Sequence, residues 1–350
     1  MGLQVFLLVV SYLALTCLAV DQDCDAGTGT CTDNVEAKAV PKGASLDGKP
    51  RVAEKECKDR HDACVRFAKQ GECTKNPGWM IMFCAASCDA CHMRDPKVRC
   101  DRASLNISSD PIYAPGDMAT MFTNIEERYG ARYGVEVLSR EPWVVTLDNF
   151  VTDAEIAALI DTNKEHFERS TDTGSMNEFG ETGKLVSKSR TSSNSWCRHD
   201  CERHPQVSNL YDKIAEVTGV PRTHYESFQV LQYLPGQRYG VHHDYGASDR
   251  GLPSGPRILT FFLYLSDVEE GGETNFPGLK IAVKPKKGRA LLWPSTLSET
   301  PDLKETRTNH EAKAVISGLK YAANSWIHLY DYATPNLWGC TGTFDELSHD

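Results

Sequence analysis

The sequence predicts an α+β fold: a double-stranded β-helix (jelly roll) flanked by helices and preceded by a small disulfide-rich module. Three observations support this prediction. Helical apolar patterns come first in the large domain, and short aromatic and aliphatic runs separated by glycine and proline follow them. Six cysteines lie within residues 57–91, a segment too short to bury much of a core without disulfides. Helices followed by many short strands favour two packed sheets with helices against them.

Two helices are predicted near the start of the large domain. Thr152-Asp-Ala-Glu155 has the pattern of a capping box, which marks the start of a helix. A second helix is predicted to begin at Pro205 and to end at Gly219. The apolar positions recur with helical spacing in both segments, at Ile156, Leu159 and Ile160 and at Val207, Leu210, Tyr211, Ile214 and Val217.

The rest of the large domain reads as strands. Short runs rich in aromatic and aliphatic residues are bounded by glycine and proline, which is typical of β-strands joined by turns. The predicted strands are 228–233, 258–265, 290–293 and 321–328.

The N-terminus predicts the cellular compartment. An apolar run at residues 3–20 precedes an acidic stretch, and small residues before a cleavage point after Ala19 suggest a signal peptide at 1–19. An uncleaved anchor is the alternative, because the run is just long enough to span a bilayer. Both readings place the rest of the chain in the endoplasmic reticulum lumen or outside the cell. Of the 13 cysteines only Cys17 lies in this run, and Asn106-Ile-Ser108 is a glycosylation sequon.

Charge and composition limit the partners and divide the chain. The net charge is -10 and no stretch is rich in lysine or arginine, which argues against nucleic acid or an anionic membrane as a main partner. The predicted divisions are a polar linker at 20–56, the cysteine-rich module at 57–91, a charged linker at 92–140, the large domain at 141–330 and a C-terminal tail at 331–350. Within the linker at 92–140, the chain is expected to become more ordered from Met118 to Val137.

The cysteine-rich module resembles a known extracellular family. Its six cysteines allow fifteen pairings, and spacing alone does not choose among them. The order of these cysteines, together with Asn76-Pro77 and Met82, resembles an ShK-type module. That resemblance implies the pairs Cys57–Cys91, Cys64–Cys84 and Cys73–Cys88. Some members block potassium channels, but this segment contains no tyrosine, so a docking or spacer role is favoured.

The other cysteines leave their pairing open. Cys24 and Cys31 are close enough in sequence to close a small loop. Cys197 and Cys201 are compatible with a tight disulfide or with separate distant partners such as Cys340.

A metal site is predicted at His242 and Asp244. Residues two apart on a strand share a face, so these two side chains point the same way while His243 points to the other side. Two imidazoles and one carboxylate form the facial triad that binds Fe(II) with open positions. His310, just before the last strand, is the best candidate for the third ligand.

The residues around this site resemble the prolyl 4-hydroxylases. Gln229-Val-Leu-Gln-Tyr233, Gly236-Gln237, Tyr239 and His242-x-Asp244 match the family's motif almost position by position. Later parts of the motif follow in order, as Arg257-x-x-Thr260, Gly271-Gly272-Glu273-Thr274, His310 and Gly318-x-Lys320. The resemblance covers roughly residues 140–330 and is closest to the monomeric enzymes of plants and algae. It implies hydroxylation of peptidyl proline at C4, coupled to conversion of 2-oxoglutarate to succinate and CO2.

The resemblance also implies cofactors and binding residues. Fe(II), 2-oxoglutarate and O2 take part in the reaction, and L-ascorbate would restore oxidised iron. Lys320 would bind the far carboxylate of 2-oxoglutarate, since a buried lysine needs an anion, and Tyr233 and Thr274 would add hydrogen bonds. The residues implied around a proline-containing polypeptide are Glu226, Tyr239, Arg257, Trp326 and His328, and 189–193 resembles a mobile loop that closes over it.

Two other functions remain open from the sequence. One is a different 2-oxoglutarate dioxygenase such as a lysyl hydroxylase, for which Glu226 could receive the substrate's ammonium group. The other is a catalytically dead binding protein that carries an ShK-type module. The intact set of His242, Asp244, His310 and Lys320 speaks against the second.

Overall fold

The computed structural model describes residues 57–176 and 182–342. The predicted signal peptide or anchor at 1–19, the linker at 20–56 and the cysteines Cys17, Cys24 and Cys31 lie outside the described residues. Among the helices that the structure describes, none is both long enough and apolar enough to cross a membrane.

Helices and strands alternate along the described chain. The helices are α1 (Cys64–Lys69), α2 (Glu72–Lys75), α3 (Pro77–Cys84), α4 (Pro96–Arg99), α5 (Asp117–Tyr133), α6 (Asp153–Asp161), α7 (Asp200–Arg203), α8 (Pro205–Thr218) and α9 (Ala333–Leu337). The strands are β1 (Val135–Arg140), β2 (Trp143–Leu147), β3 (Glu168–Arg169), β4 (Asp172–Met176), β5 (Thr182–Leu185), β6 (Ser193–Trp196), β7 (Gln229–Tyr233), β8 (Tyr239–His242), β9 (Arg257–Tyr264), β10 (Glu270–Gly271), β11 (Thr274–Phe276), β12 (Ile281–Val283), β13 (Ala290–Pro294), β14 (His310–Ala312), β15 (Val315–Ser317) and β16 (Lys320–His328).

Two antiparallel sheets pack face to face. The larger has eight strands in the order β1-β2-β13-β9-β16-β7-β6-β3, and the smaller has four in the order β12-β11-β14-β8. Apolar side chains from both sheets form one cluster between them, which includes Phe262, Phe276 and Trp293. This arrangement confirms the predicted jelly roll.

Helices cover the other face of the larger sheet. A second apolar cluster joins α5, α6 and α8 to outward-facing residues of the central strands, such as Val230, Phe261 and Ile327. The central strand β16 therefore alternates between two environments: Ala323 and Ile327 face the helices, while Ala322 faces the smaller sheet. The residues on the second face are the ones that can line a site between the sheets.

Both predicted helix starts and the predicted helix end are confirmed. Thr152 and Glu155 form the reciprocal capping box at α6, with distances of 2.8 and 3.3 Å. Helix α8 begins at Pro205, and Gly219 follows its last residue with φ of 71°, a left-handed conformation that glycine adopts without strain.

The predicted linker at 92–140 is wrong for much of its length. Helix α5 spans residues 117–133, and Met118, Met121, Phe122 and Ile125 bury one face of it in the main core. Strand β1 then pairs with β2 at the edge of the larger sheet. The apolar spacing of i, i+3, i+4 and i+7 was visible in the sequence, but the surrounding charged residues obscured it.

All six cysteines of the module pair with one another, and two further disulfides lie outside it. Disulfides link Cys57 to Cys91, Cys64 to Cys84 and Cys73 to Cys88, the pattern that the ShK resemblance implies. Cys197 pairs with Cys201, and Cys100 pairs with Cys340 across 240 residues of sequence. The last bond fixes part of the predicted tail beside the module, where α3 also packs against α9.

The predicted glycosylation site is sterically open. Asn106 is exposed and adopts a left-handed backbone conformation with φ of 53° in a turn. Its modification remains a prediction.

Candidate active site

Three metal-ligating side chains meet at one end of the smaller sheet. His242 is the last residue of β8 and His310 is the first of β14, and the two are directly paired between these neighbouring strands. Asp244 follows two residues after His242, and its carboxylate lies 3.9 Å from His242 Nε2 and 3.5 Å from His310 Nε2. One ligand atom from each residue lies within 4.8 Å of the others. This is the only such group of three or more found in the described part of the chain.

Hydrogen bonds orient each of the three side chains. Nδ1 of His242 donates to the carbonyl of Gly240 at 2.9 Å, and Nδ1 of His310 donates to the carbonyl of Thr308 at 3.0 Å. Each ring therefore carries its proton on Nδ1 and presents the lone pair of Nε2 to the centre of the group. Thr260 on β9 donates a hydrogen bond of 2.6 Å to Asp244 Oδ2.

The electrostatics keep these groups ready to bind a cation. Burial, together with the nearby His310, lowers the pKa of His242 to about 3, so the ring is neutral at physiological pH. Burial alone would raise the pKa of Asp244, but His310, His242 and the Thr260 hydroxyl outweigh it and bring the pKa to about 2. Two imidazoles and one carboxylate fit Fe(II) with open coordination positions.

Lys320 is a buried cation next to this group of ligands. It is fully buried at the start of β16 and donates a hydrogen bond of 2.8 Å to the carbonyl of Gly272. Aromatic rings of Tyr233, Phe262 and Tyr264 lie 5.1 to 5.7 Å from its ammonium group. Within residues 57–176 and 182–342 it forms no ion pair, and burial lowers its pKa to about 7. A buried ammonium group without an anionic partner is a favourable binding site for a carboxylate.

The other residues predicted for the cosubstrate surround Lys320. Tyr233 on β7 is directly opposite Lys320 in the larger sheet. Thr274 on β11 accepts a hydrogen bond of 2.7 Å from the hydroxyl of Tyr264, whose ring faces the ammonium group. The structure thus brings together the three residues that sequence analysis assigned to 2-oxoglutarate.

The predicted substrate residues form a network beside the triad. Arg257 binds both carboxylate oxygens of Glu226, at 2.5 and 3.0 Å, and its guanidinium lies 3.8 Å from the ring centre of Trp326. His328 contacts Glu226 Oε1 at 2.8 Å and the carbonyl of Gly255 at 2.9 Å. Tyr239 stacks on His242 with 3.6 Å between ring centres.

The carboxylate of Glu226 is already bonded to Arg257 and His328. It is 2% exposed, and although burial raises its pKa, Arg257 and His328 lower the pKa to about 2. The carboxylate is therefore ionised and already paired with a guanidinium. It does not offer a free acid to a substrate cation.

Sequence analysis named Thr260 only as part of the motif and Arg190 only as part of the loop 189–193, and gave neither a role at the site. Thr260 holds Asp244, and Arg190 lies over the ring of Tyr239 at 4.6 Å while hydrogen-bonding Gln229 at 3.1 Å. Thr260 shares the inward face of β9 with Phe262 and Tyr264, so alternation along that strand would have indicated it. Arg190 belongs to the predicted loop 189–193, which runs beside β8 through Ser189 and Thr191.

Comparisons with known proteins agree with this geometry. Residues 228–328 match the family model of the 2OG-Fe(II) oxygenase superfamily, and residues 56–91 match the ShK domain-like family. Every residue assigned above to the metal or to 2-oxoglutarate lies within 228–328.

Relatives of known type cover most of the large domain. "Probable prolyl 4-hydroxylase 10" of Arabidopsis thaliana is 36% identical over 220 residues, which are 57% of this chain and 73% of that protein. "Prolyl 4-hydroxylase 2" of the same plant is 35% identical over 231 residues, 59% of this chain and 75% of the relative. The rat "Prolyl 4-hydroxylase subunit alpha-1" is 33% identical over 194 residues, covering 54% of this chain and 35% of the subunit.

Among solved structures, a viral collagen prolyl hydroxylase from Paramecium Bursaria Chlorella virus-1, in complex with 2OG, is similar to this chain. It has 29% sequence identity and a TM-score of 0.41, and the match covers 53% of this chain and 95% of the viral chain.

Proposed function

Because this chain belongs to the prolyl 4-hydroxylase family of 2OG-Fe(II) oxygenases, we propose that it modifies proline-containing polypeptides in the secretory pathway. It is an oxidoreductase that couples hydroxylation of peptidyl proline to the oxidative decarboxylation of 2-oxoglutarate. One observation supports the assignment most strongly: an oriented His-Asp-His group and a buried lysine, which forms no ion pair within the described residues, both border the apolar cluster between the two sheets.

The residues present fit both the metal and the cosubstrate. His242, Asp244 and His310 would hold Fe(II), while Lys320 would hold the far carboxylate of 2-oxoglutarate with help from Tyr233 and Thr274. When bound, these groups supply the oxidation, in which O2 gives one oxygen atom to C4 of proline and one to the succinate formed from 2-oxoglutarate as CO2 leaves.

The protein's own contribution is orientation and exclusion of water. Asp244, His310 and Lys320 are all buried, and aromatic rings of Phe276 and Trp293 lie 5.7 and 4.8 Å from the ring of His310. An apolar enclosure strengthens the electrostatic attraction between Lys320 and a bound carboxylate. It also protects reactive species from side reactions with water.

The residues near the metal suit a prolyl ring better than a lysyl side chain. Tyr239 stacks on His242 and Trp326 packs against Arg257, so the surroundings of the triad are aromatic and suit an uncharged ring. Glu226, the acid that could have attracted a lysyl ammonium, is neutralised by Arg257. Discrimination against lysine therefore comes both from aromatic contact and from the missing free carboxylate.

Arg257→Ala and His328→Ala should weaken use of the peptide without impairing the metal site. Each removes a charged or polar contact of Glu226, so we expect the ratio kcat/KM for peptide to fall by about 10- to 100-fold. Decarboxylation of 2-oxoglutarate in the absence of peptide should change little. Steady-state assays of hydroxyproline and of succinate measure the two quantities separately.

Arg257→Lys is the matched control for this prediction. Lysine keeps the charge but loses the two-pronged contact with Glu226 and the flat stacking on Trp326, so it should rescue activity only in part. Equal loss of peptide-independent decarboxylation would instead place Arg257 in the metal or cosubstrate site.

An oxidising compartment and ascorbate complete the proposal. The apolar N-terminal run, the sequon at Asn106 and the five disulfides in the described residues all suit the endoplasmic reticulum lumen or the extracellular space. L-Ascorbate would return iron to the ferrous state after turnovers that fail to hydroxylate a peptide. Omitting it from the assay should progressively slow turnover if this role is correct.

The oxidised state of the module can be measured directly. Thiol labelling of unreduced, denatured protein purified from the secretory pathway should miss all six cysteines of residues 57–91, because each is in a disulfide. The same labelling after reduction is the control. Modification of several of these cysteines before reduction would contradict the proposed compartment.

A further inference from the structure

We infer that His243 is a positioning residue, which ties together the two chain segments that carry the metal ligands. The pairing between β8 and β14 ends at His242 and His310. Asp244 lies beyond this last pair on one segment, and Thr308, whose carbonyl orients His310, lies beyond it on the other. The side chain of His243 bridges the two segments just past the end of the sheet.

The hydrogen bonds of His243 fix its tautomer. The backbone N–H of Tyr245 donates to Nδ1 at 2.9 Å, so Nδ1 must present a lone pair. The proton of the neutral ring is then on Nε2, which donates to the carbonyl of Glu305 at 2.8 Å. The His243 ring thus bonds at the same time to the Glu305 carbonyl on the 305–310 segment and to the Tyr245 N–H on its own segment.

On its own segment, His243 folds the chain around Asp244. The bond from the Tyr245 N–H to the ring spans Asp244, so it restricts the backbone that carries this ligand. The hydroxyl of Tyr245 donates to the carbonyl of Asp302 at 3.0 Å, a second link to the opposite segment. The direction of the Asp244 carboxylate therefore depends on the ring of His243 as well as on the Thr260 hydroxyl.

On the opposite segment, the contact leads directly to His310. Glu305 is anchored to β13 by its N–H, which donates to Ser295 at 3.0 Å. The hydroxyl of Thr308 donates to the carbonyl of Glu305 at 3.0 Å, and the carbonyl of Thr308 accepts the proton of His310 Nδ1. His243, Glu305, Thr308 and His310 therefore form a continuous chain of contacts that sets the ring of the third ligand.

This inference rests on the proposed function only in requiring that the triad binds a divalent metal. Contacts that orient metal ligands typically contribute about 10- to 100-fold to affinity. We therefore expect His243→Ala to bind one Co(II), as the wild type does, with affinity about 10- to 100-fold lower and faster dissociation. Co(II) is the probe because its visible absorption reports coordination without turnover.

Two conservative variants test the two hydrogen bonds of the His243 ring separately. Asn in place of His243 can still accept the N–H of Tyr245, and Gln can still donate to the carbonyl of Glu305. Each should lose part of the affinity, and both remain usable if His243→Ala fails to fold. In metal-free protein, hydrogen exchange at residues 302–309 should be faster in His243→Asn, which loses the contact with Glu305, than in His243→Gln or the wild type.

His204→Ala is the matched control. Its ring also accepts a backbone N–H two residues on, from Gln206 at 3.3 Å, but at the start of α8 rather than at the metal site. It should leave Co(II) affinity and exchange at 302–309 unchanged. Wild-type Co(II) affinity and exchange in all three His243 variants would overturn the inference and leave the proposed function intact. Failure of the wild type to bind Co(II) would overturn both.

Discussion

Alanine in place of His242, Asp244 or His310 should reduce proline hydroxylation below detection. Each substitution removes one of the three ligands, and the remaining two cannot hold Fe(II) in the geometry that catalysis requires. Asp244→Ala should be the most severe for metal binding because it also removes the only negative charge of the triad. Hydroxyproline is measured by mass spectrometry of a peptide, and bound iron by metal analysis after desalting.

Asp212→Ala and His204→Ala are suitable controls for these variants. Asp212 lies on the exposed face of α8, and His204 precedes that helix, so both should retain iron and activity. Substantial turnover by any triad variant would show that the metal is held elsewhere.

Lys320→Ala should raise the KM for 2-oxoglutarate by about 100- to 4000-fold. Removal of one partner of a buried charge pair costs about 3–5 kcal/mol, since the other charge is left without compensation. The buried position of Lys320 between Tyr233, Phe262 and Tyr264 leaves little water to replace its ammonium group. Succinate formation at varied 2-oxoglutarate concentration measures the effect, while Co(II) binding should be retained.

The same lysine predicts a dependence of cosubstrate binding on pH. Burial lowers the pKa of Lys320 to about 7, so the free enzyme loses this proton as the pH rises through that value. Binding of the carboxylate then requires proton uptake, and the Kd for 2-oxoglutarate should increase by about 10-fold per pH unit above the pKa. Below this pKa Lys320 is already protonated, so its titration should no longer change the Kd for 2-oxoglutarate.

Lys320→Arg separates this effect from other titrations. Arginine stays protonated over the whole range, so the rise in Kd between pH 7 and 9 should disappear even if the larger side chain weakens binding overall. A wild-type Kd that is constant across this range would contradict the assignment of Lys320 to the carboxylate.

The sequence predicted correctly those features that are determined by residues close together in the chain. The capping box at Thr152 and Glu155 and the helix end at Gly219 depend on residues a few positions apart, and both are present. Strand alternation also predicted that His242 and Asp244 point the same way, and their side chains do converge, although β8 ends at His242 and Asp244 lies in a bend beyond it. His310 was selected from its position before the last strand and supported by the family resemblance, since its pairing with His242 joins residues far apart in the chain.

Interactions between distant residues account for what the sequence left undecided or missed. The bond between Cys100 and Cys340 depends on how the tail folds back, and the pairing of Glu226 with Arg257 depends on the segment before β7 meeting the start of β9. Glu226 looked like a possible receptor for a cation until Arg257 was seen to occupy it. Order was expected from Met118 to Val137, but helix α5 itself was not assigned, because its apolar face lies within a charged segment.

Anaerobic reconstitution tests the central claim most directly. The purified chain would be loaded with Fe(II) and 2-oxoglutarate, given a library of proline- and lysine-containing peptides, and then exposed to oxygen in the presence of ascorbate. The proposed function predicts one oxygen atom added at proline, with hydroxylation at C4 and succinate formed in equal amount. Hydroxylysine without hydroxyproline would contradict the prolyl assignment, and succinate that never accompanies a hydroxylated peptide would contradict peptide hydroxylation altogether.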